Sequence, residues 1–132
     1  MLMNMAFVVA KRGTCDRLQV GAVIARDGRV ISSGYNGNII GQDHCDHDEF
    51  SNMGCTDAVH AEANAILFAA RYGTSTEGAH LFTTHQPCLN CAKMIINAGI
   101  SKVFYSYPYR DISGLNLLFA HPGVGIYQYH AP

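Results

Sequence analysis

The sequence has no stretch that could span a membrane. Its longest apolar run near the start, Ala6 to Ala10, falls far short of the roughly 18 to 20 residues a spanning helix needs. No basic segment precedes that run as one does in a signal peptide. A basic excess is also missing: Lys+Arg number 9 and Asp+Glu 10, a formal net charge of -1 with a pI near 6.6. That balance argues against a protein that coats long DNA or RNA, whose phosphates require a positive surface. No internal repeat, linker or low-complexity tract divides the chain. Charged residues make up only 14% of it and hydrophobic ones 48%, a composition that builds a core rather than a disordered chain. With 132 residues, the expectation is a single domain over 1–132, soluble and cytoplasmic. What the chain does have is 5 cysteines and 7 histidines. Cytosolic thiols stay reduced, so this pairing points to metal rather than disulfides, and the odd cysteine count leans the same way.

Local pattern gives the order of elements. Leu2 to Arg12 reads as a helix ended by Gly13. Val20 to Ile24 and Arg29 to Ser33 are β-branched runs around Asp27-Gly28, the strongest short hairpin signal present. From Gly34 to Asp57 the chain turns polar and glycine-rich, and loops this long in a small domain are usually functional. Helix returns over about Ala58 to Tyr72, with Asp57 as N-cap and Gly73 as the stop. A strand at Ala79 to Thr84 precedes a helix over Cys88 to Ala98 that Pro87 opens. Val103 to Ser106 is a strand, Gly114 to Ala120 a short helix and Val124 to Tyr129 a last strand. The order α-β-β-α-β-α-β-α-β predicts an α/β fold with a five-stranded mixed sheet covered by helices on both faces, its last two strands parallel.

The chemistry is concentrated in His60-Ala61-Glu62 and Pro87-Cys88-Leu89-Asn90-Cys91. Cys88 and Cys91 stand three apart at a helix start, so their thiols share a face. His60 lies at the start of the preceding helix. Two helix N-termini facing one ion favour the thiolate form. Three ligands leave a position for water, as catalytic zinc sites do. Zn²⁺ with two thiolates and a neutral imidazole is formally uncharged and brings a water's pKa from about 15.7 to about 7. Glu62 is then the group that takes that proton and passes it to substrate, a shuttle contributing about 10² to 10⁴ in rate. The competing readings are a redox C-x-x-C, which lacks the Cys-Gly-Pro-Cys pattern, and an isolated core histidine, which leaves Glu62, Cys88 and Cys91 unexplained. The pairing of H-x-E with P-C-x-x-C is the signature of zinc deaminases.

From about Met3 to Tyr129 the sequence resembles the deoxycytidylate (dCMP) deaminase family of the zinc-dependent cytidine/deoxycytidylate deaminases, in its bacterial or tailed-phage form. The resemblance is carried by Thr14-Cys15, Val20 to Ile24, Gly34-Tyr35-Asn36-Gly37, His44-Cys45, His60 to Ile66, Thr84 to Ala92 and Ala98-Gly99-Ile100. It implies a three-layer α-β-α cytidine-deaminase-like fold and zinc-dependent hydrolysis of dCMP to dUMP and ammonia, supplying dUMP for thymidylate synthesis. It implies Asn36 on the sugar, the Ala61 N–H on the pyrimidine carbonyl and Tyr109 lining the pocket. A homohexamer is also implied, regulated by dCTP and dTTP near Tyr35 and Gly37, with Arg71 at phosphate or at a subunit contact. Ordinary strand packing competes for Tyr35, and a favourable helix-end charge for Arg71. The location is the cytoplasm, the host's if the gene is a phage's.

Several members of this family also carry a second, structural zinc. The resemblance places Cys15 and Cys45 in it; the other two ligands vary in the family, and His47 and Cys55 are the candidates here. Such a site would rigidify a loop that otherwise lacks a core, against the alternative of a solvated acidic loop with unpaired thiols. The rival functions are a deaminase for free cytidine, a 5-modified dCMP, a blasticidin-like compound or adenosine in tRNA, and a zinc-stabilised binding module without turnover. The neutral charge disfavours tRNA, and Glu62 disfavours the binding module. Spacing does not choose among Lys11, Arg12, Arg26, Arg71 and Arg110 as the phosphate-binding residue.

Overall fold

A computed structural model describes residues 1–13, 18–39 and 58–130. Among these residues four helices and five strands follow in the expected order: α1 (Leu2–Ala10), β1 (Gly21–Arg26), β2 (Arg29–Tyr35), α2 (Ala61–Arg71), β3 (His80–His85), α3 (Leu89–Asn97), β4 (Lys102–Tyr107), α4 (Ser113–Ala120) and β5 (Gly125–Gln128). The hairpin forms because Asp27 and Gly28 both take positive φ, 53° and 76°, the backbone of a tight turn that matches strand twist. The sheet order is β2-β1-β3-β4-β5. β1 is antiparallel to both β2 and β3, whereas β3, β4 and β5 run parallel.

The sheet's alternation separates two cores. On one face Ala22, Ile24, Leu81, Val103, Tyr105 and Ile126 meet Ala61 and Ala65 of α2, Ala92 and Ile95 of α3, and Leu118 of α4. On the other, Val23, Phe82 and Phe104 meet Met3 and Ala6 of α1. Three layers result, with one helix on one side and three on the other. No helix among the described residues is long and apolar enough to cross a membrane.

Two helix starts differ from expectation, and both differences matter. α2 begins at Ala61 with His60 as its extended N-cap (φ -67°, ψ 151°), not after a cap at Asp57, which lies outside the described residues. The cause is a bridge between Val59 and Gly37, with N–H···O distances of 3.2 and 2.7 Å, that holds the chain extended up to His60. α3 likewise begins at Leu89 with Cys88 as its extended N-cap, so Pro87 precedes the cap rather than opening the helix. His60 and Cys88 therefore occupy equivalent positions on two helices.

Candidate active site

Parallel strands in an open α/β sheet leave a crevice beyond their carboxyl ends. Here that end collects the close of β3 at His85, the close of β4 at Tyr107, the start of β1 and the close of β2, tied by a hydrogen bond from Gly21 N–H to Thr84 Oγ1 (3.2 Å). Both N-caps face into it. His60 Nδ1 lies 3.5 Å from Cys88 Sγ and 3.4 Å from Cys91 Sγ, and the three ligand atoms all lie within 4.8 Å of one another. Around a tetrahedral zinc, with metal–sulfur near 2.3 Å and metal–nitrogen near 2.0–2.1 Å, sulfur and nitrogen ligands stand about 3.5 Å apart. The donor set and its spacing thus fit zinc. Among the described residues this is the one such group.

The protons are arranged to suit. Cys88 is lowered to about 4, chiefly because the Cys91 thiol donates to it, with His60 and the Cys91 amide adding to the effect against the cost of burial. Cys91 is pushed in the opposite sense by the same bond and by burial, so it keeps its proton until a cation displaces it. Glu62 is 5% exposed, and burial raises it to about 7, partly offset by its own backbone N–H and by His60. A buried carboxyl close to neutral in its titration can both take and return a proton.

Packing fixes the two ligand segments. A Cβ built on Gly34 of β2 would stand 2.4 Å from the Ala61 carbonyl oxygen and 2.5 Å from the Ala65 nitrogen, so only glycine lets α2 lie this close to the sheet. Asn64 Nδ2 donates to the Tyr35 carbonyl at 2.9 Å, holding the same helix to the end of β2. On the other side, a Cβ on Gly114 would stand 2.5 Å from the Pro87 carbonyl oxygen and 2.7 Å from that of Cys88. The first turn of α4 therefore backs the Cys88 segment.

The remaining expected residues divide by location. Asn36 is buried at the same end, its Oδ1 accepting from Val20 N–H at 2.8 Å and its Nδ2 donating to the Leu18 carbonyl. Each amide atom retains capacity for one further partner. Gly37 is bridged to Val59 next to His60. Ala61, first in α2, carries an N–H that no helix carbonyl can take. Tyr109 is exposed in the β4–α4 loop. Tyr35 ends β2, with the Arg12 guanidinium 5.9 Å from its ring centre. Arg71 ends α2 beside Tyr72, about 16 Å along the axis from His60, and so is not brought to the site. Arg26 lies at the opposite end of the sheet, donating to the Ser75 and Glu77 carbonyls. Cys15, Cys45, His47 and Cys55, with the second metal expected of them, fall outside the described residues. Motif reasoning missed Gln86, a buried polar residue between β3 and Pro87; its signal is a glutamine set directly before Pro-Cys at a strand end.

Comparison with known proteins follows the same lines. Residues 1–107 match the family described as the cytidine and deoxycytidylate deaminase zinc-binding region. ComE operon protein 2 of Bacillus subtilis is 44% identical, over 96% of this chain and 68% of its own length. The deoxycytidylate deaminase of Enterobacteria phage T2 is 31% identical, over 96% of this chain and 89% of its own. Among solved structures, the dCMP deaminase of cyanophage S-TIM5 in complex with dCMP and dUMP superposes with a TM-score of 0.88 at 34% identity, covering 96% of this chain and 93% of that one.

Proposed function

The chain belongs to the cytidine and deoxycytidylate deaminase family, and we infer that its reaction within it is the hydrolysis of dCMP to dUMP and ammonia. The observation that carries this reading is a His60–Cys88–Cys91 group one ligand short of a closed shell, with the buried Glu62 carboxyl against it. The substrate is supported by the likeness to the phage dCMP deaminases across nearly the whole chain. His60, Cys88 and Cys91 are the residues to hold zinc. Once bound, zinc lowers the pKa of a water from about 15.7 to about 7 and so supplies a nucleophile at neutral pH.

Glu62 takes the proton released by that water and delivers it to N3 of the cytosine ring as a C4–O bond forms. It then carries the second proton to the exocyclic amine, the C4–N bond breaks, and ammonia leaves. The Ala61 N–H meets the pyrimidine carbonyl, Asn36 the sugar, and Tyr109 closes the pocket from the β4–α4 loop. For the substrate phosphate, Lys11 and Arg12 beyond α1 and Arg110 beside Tyr109 are the favoured candidates, a reading supported by the distance of Arg26 and Arg71 from the site. A structural zinc on Cys15, Cys45, His47 and Cys55 adds a second metal per chain, which metal analysis of the purified protein counts. Assembly into hexamers and response to dCTP and dTTP complete the proposal, read by sedimentation and by kinetics with each effector.

The test is ammonia release from dCMP, with deoxycytidine, dCTP and tRNA in parallel, with and without dCTP as effector. Turnover of dCMP alone is expected. Turnover of deoxycytidine alone would keep the chemistry and discard the nucleotide; silence on all substrates with zinc bound would favour a binding module.

A further inference from the structure

Gln86 makes three hydrogen bonds to one loop. Its backbone N–H donates to the Tyr107 carbonyl at 2.8 Å. Its side-chain Oε1 accepts from the Tyr109 N–H at 3.2 Å, and its Nε2 donates to the Asp111 carbonyl at 3.1 Å. The residue is 5% exposed and both side-chain bonds are part-buried, so water competes with them less than it would on an open surface. They fix alternate backbone groups of the segment that leaves β4. That segment continues to Asp111, whose Oδ1 accepts from Ser113 N–H at 2.9 Å where α4 begins. Gly114 of α4 then presses on the Pro87 and Cys88 carbonyls. The circuit closes on itself: Gln86 holds the loop, the loop sets α4, and α4 backs the residues that follow Gln86.

We propose that Gln86 is a positioning residue that fixes the 107–113 loop over the mouth of the site, so that Tyr109 stands ready for the substrate before it arrives. An aliphatic residue here would take away the partners of the part-buried Tyr109 N–H and Asp111 carbonyl, and the loop, no longer tied to Gln86, would shift to hydrate them. The side-chain hydrogen bonds of Gln86 go to the loop and to none of the proposed metal ligands. Its effect is therefore on the binding of the nucleotide and not on the proton transfers of Glu62. The kinetic half of this inference rests on the dCMP reading; the structural half does not.

The experiment uses the full, metal-loaded chain with Gln86→Met, close in shape and unable to make either side-chain bond. Amide hydrogen exchange at Tyr109 should be slow in the wild type and fast in Q86M. KM for dCMP should rise about tenfold while kcat stays within about threefold and zinc content is unchanged, as expected for lost binding contacts. Gln86→Glu keeps the acceptor for Tyr109 and loses the donor to Asp111, so it should retain Tyr109 protection and show an intermediate KM; it also serves if Q86M fails to fold. Unchanged Tyr109 exchange in the substituted protein overturns the proposal. So does a fall in kcat and zinc with KM constant, which would make Gln86 a support for Cys88 alone. If the wild type releases no ammonia from dCMP, the functional reading fails, and the exchange result alone upholds or overturns the brace.

Discussion

The two ends of the sheet are built differently. At the carboxyl ends of β3 and β4 lie all the buried polar side chains among the described residues: Asn36, Glu62, Thr83, Thr84 and Gln86. Each buried polar side-chain atom there has a hydrogen-bond partner. At the opposite end the polar contacts lie at or near the surface: the Asp27-Gly28 turn, Arg26 on the Ser75 and Glu77 carbonyls, Ser101 Oγ on the Gly78 carbonyl, and the part-buried bond from Thr76 Oγ1 to the Ala98 carbonyl. Burying a polar group gains nothing for stability over an apolar one of the same shape. Concentrating such groups at one end therefore marks the place where the fold spends stability on position. The other end needs only to close its turns.

The largest expected effect breaks the site end at its centre. Glu62→Gln keeps the shape of the side chain and removes its ability to accept a proton. Turnover of dCMP should fall by about 10² to 10⁴, with zinc content unchanged by elemental analysis. Parallel loss of zinc would show that the carboxyl is needed for the metal and not for the proton.

A second effect reads the same end through pH in the metal-stripped protein. Cys88 is lowered from 9.0 to about 4, so the unfolded chain binds the extra proton across that range and stability rises with pH. Glu62 is raised from 4.5 to about 7, so there the folded chain binds the extra proton and stability falls with pH. The two oppose each other from about 4.5 to 7, and Cys88 alone acts above that. Thermal midpoints should accordingly climb between about pH 7 and 9, and Cys88→Ser should remove the climb. A climb of equal size in Cys88→Ser would place its origin elsewhere in the molecule.

Sequence order was enough for the element order, because β-branched runs, an Asp-Gly turn and stop glycines are local signals. The group His60, Glu62, Cys88 and Cys91 was equally legible, since one helix start each supplies the ligands and the spacing within each start is short. What local pattern could not supply were contacts made across the sheet. The start of α2 depends on Val59 pairing with Gly37, and the Asn36 amide is engaged by Leu18 and Val20. The arginines could be sorted only once β1 and α2 were placed. Gln86 belongs to the same class: its partners lie 23 and 25 residues away, so nothing beside it in the chain announces them.

Gly34→Val tests whether the close approach of α2 matters to the site end. The added carbons must displace the helix whose N-cap is His60, at a cost of about 1–3 kcal/mol by thermal or denaturant unfolding. Loss of stability with kcat/KM for dCMP intact would mean that the His60 segment is held by Val59 and Gly37 rather than by Gly34.

Arg26→Ala should do least, and that is what gives it value as a control. Its guanidinium spans the carbonyls of Ser75 and Glu77 at 2.6 and 3.1 Å on the exposed surface, where water replaces a lost donor. Stability should change by no more than about 0.5 kcal/mol, and kcat/KM for dCMP should not change at all. Were this substitution to lower activity while leaving the unfolding midpoint in place, the two ends would be coupled along β1, which runs from Gly21 beside Thr84 to Arg26 itself. The contrast between a positioned end and a closing end would then have to give way to one in which β1 transmits the placement of the far turn to the site.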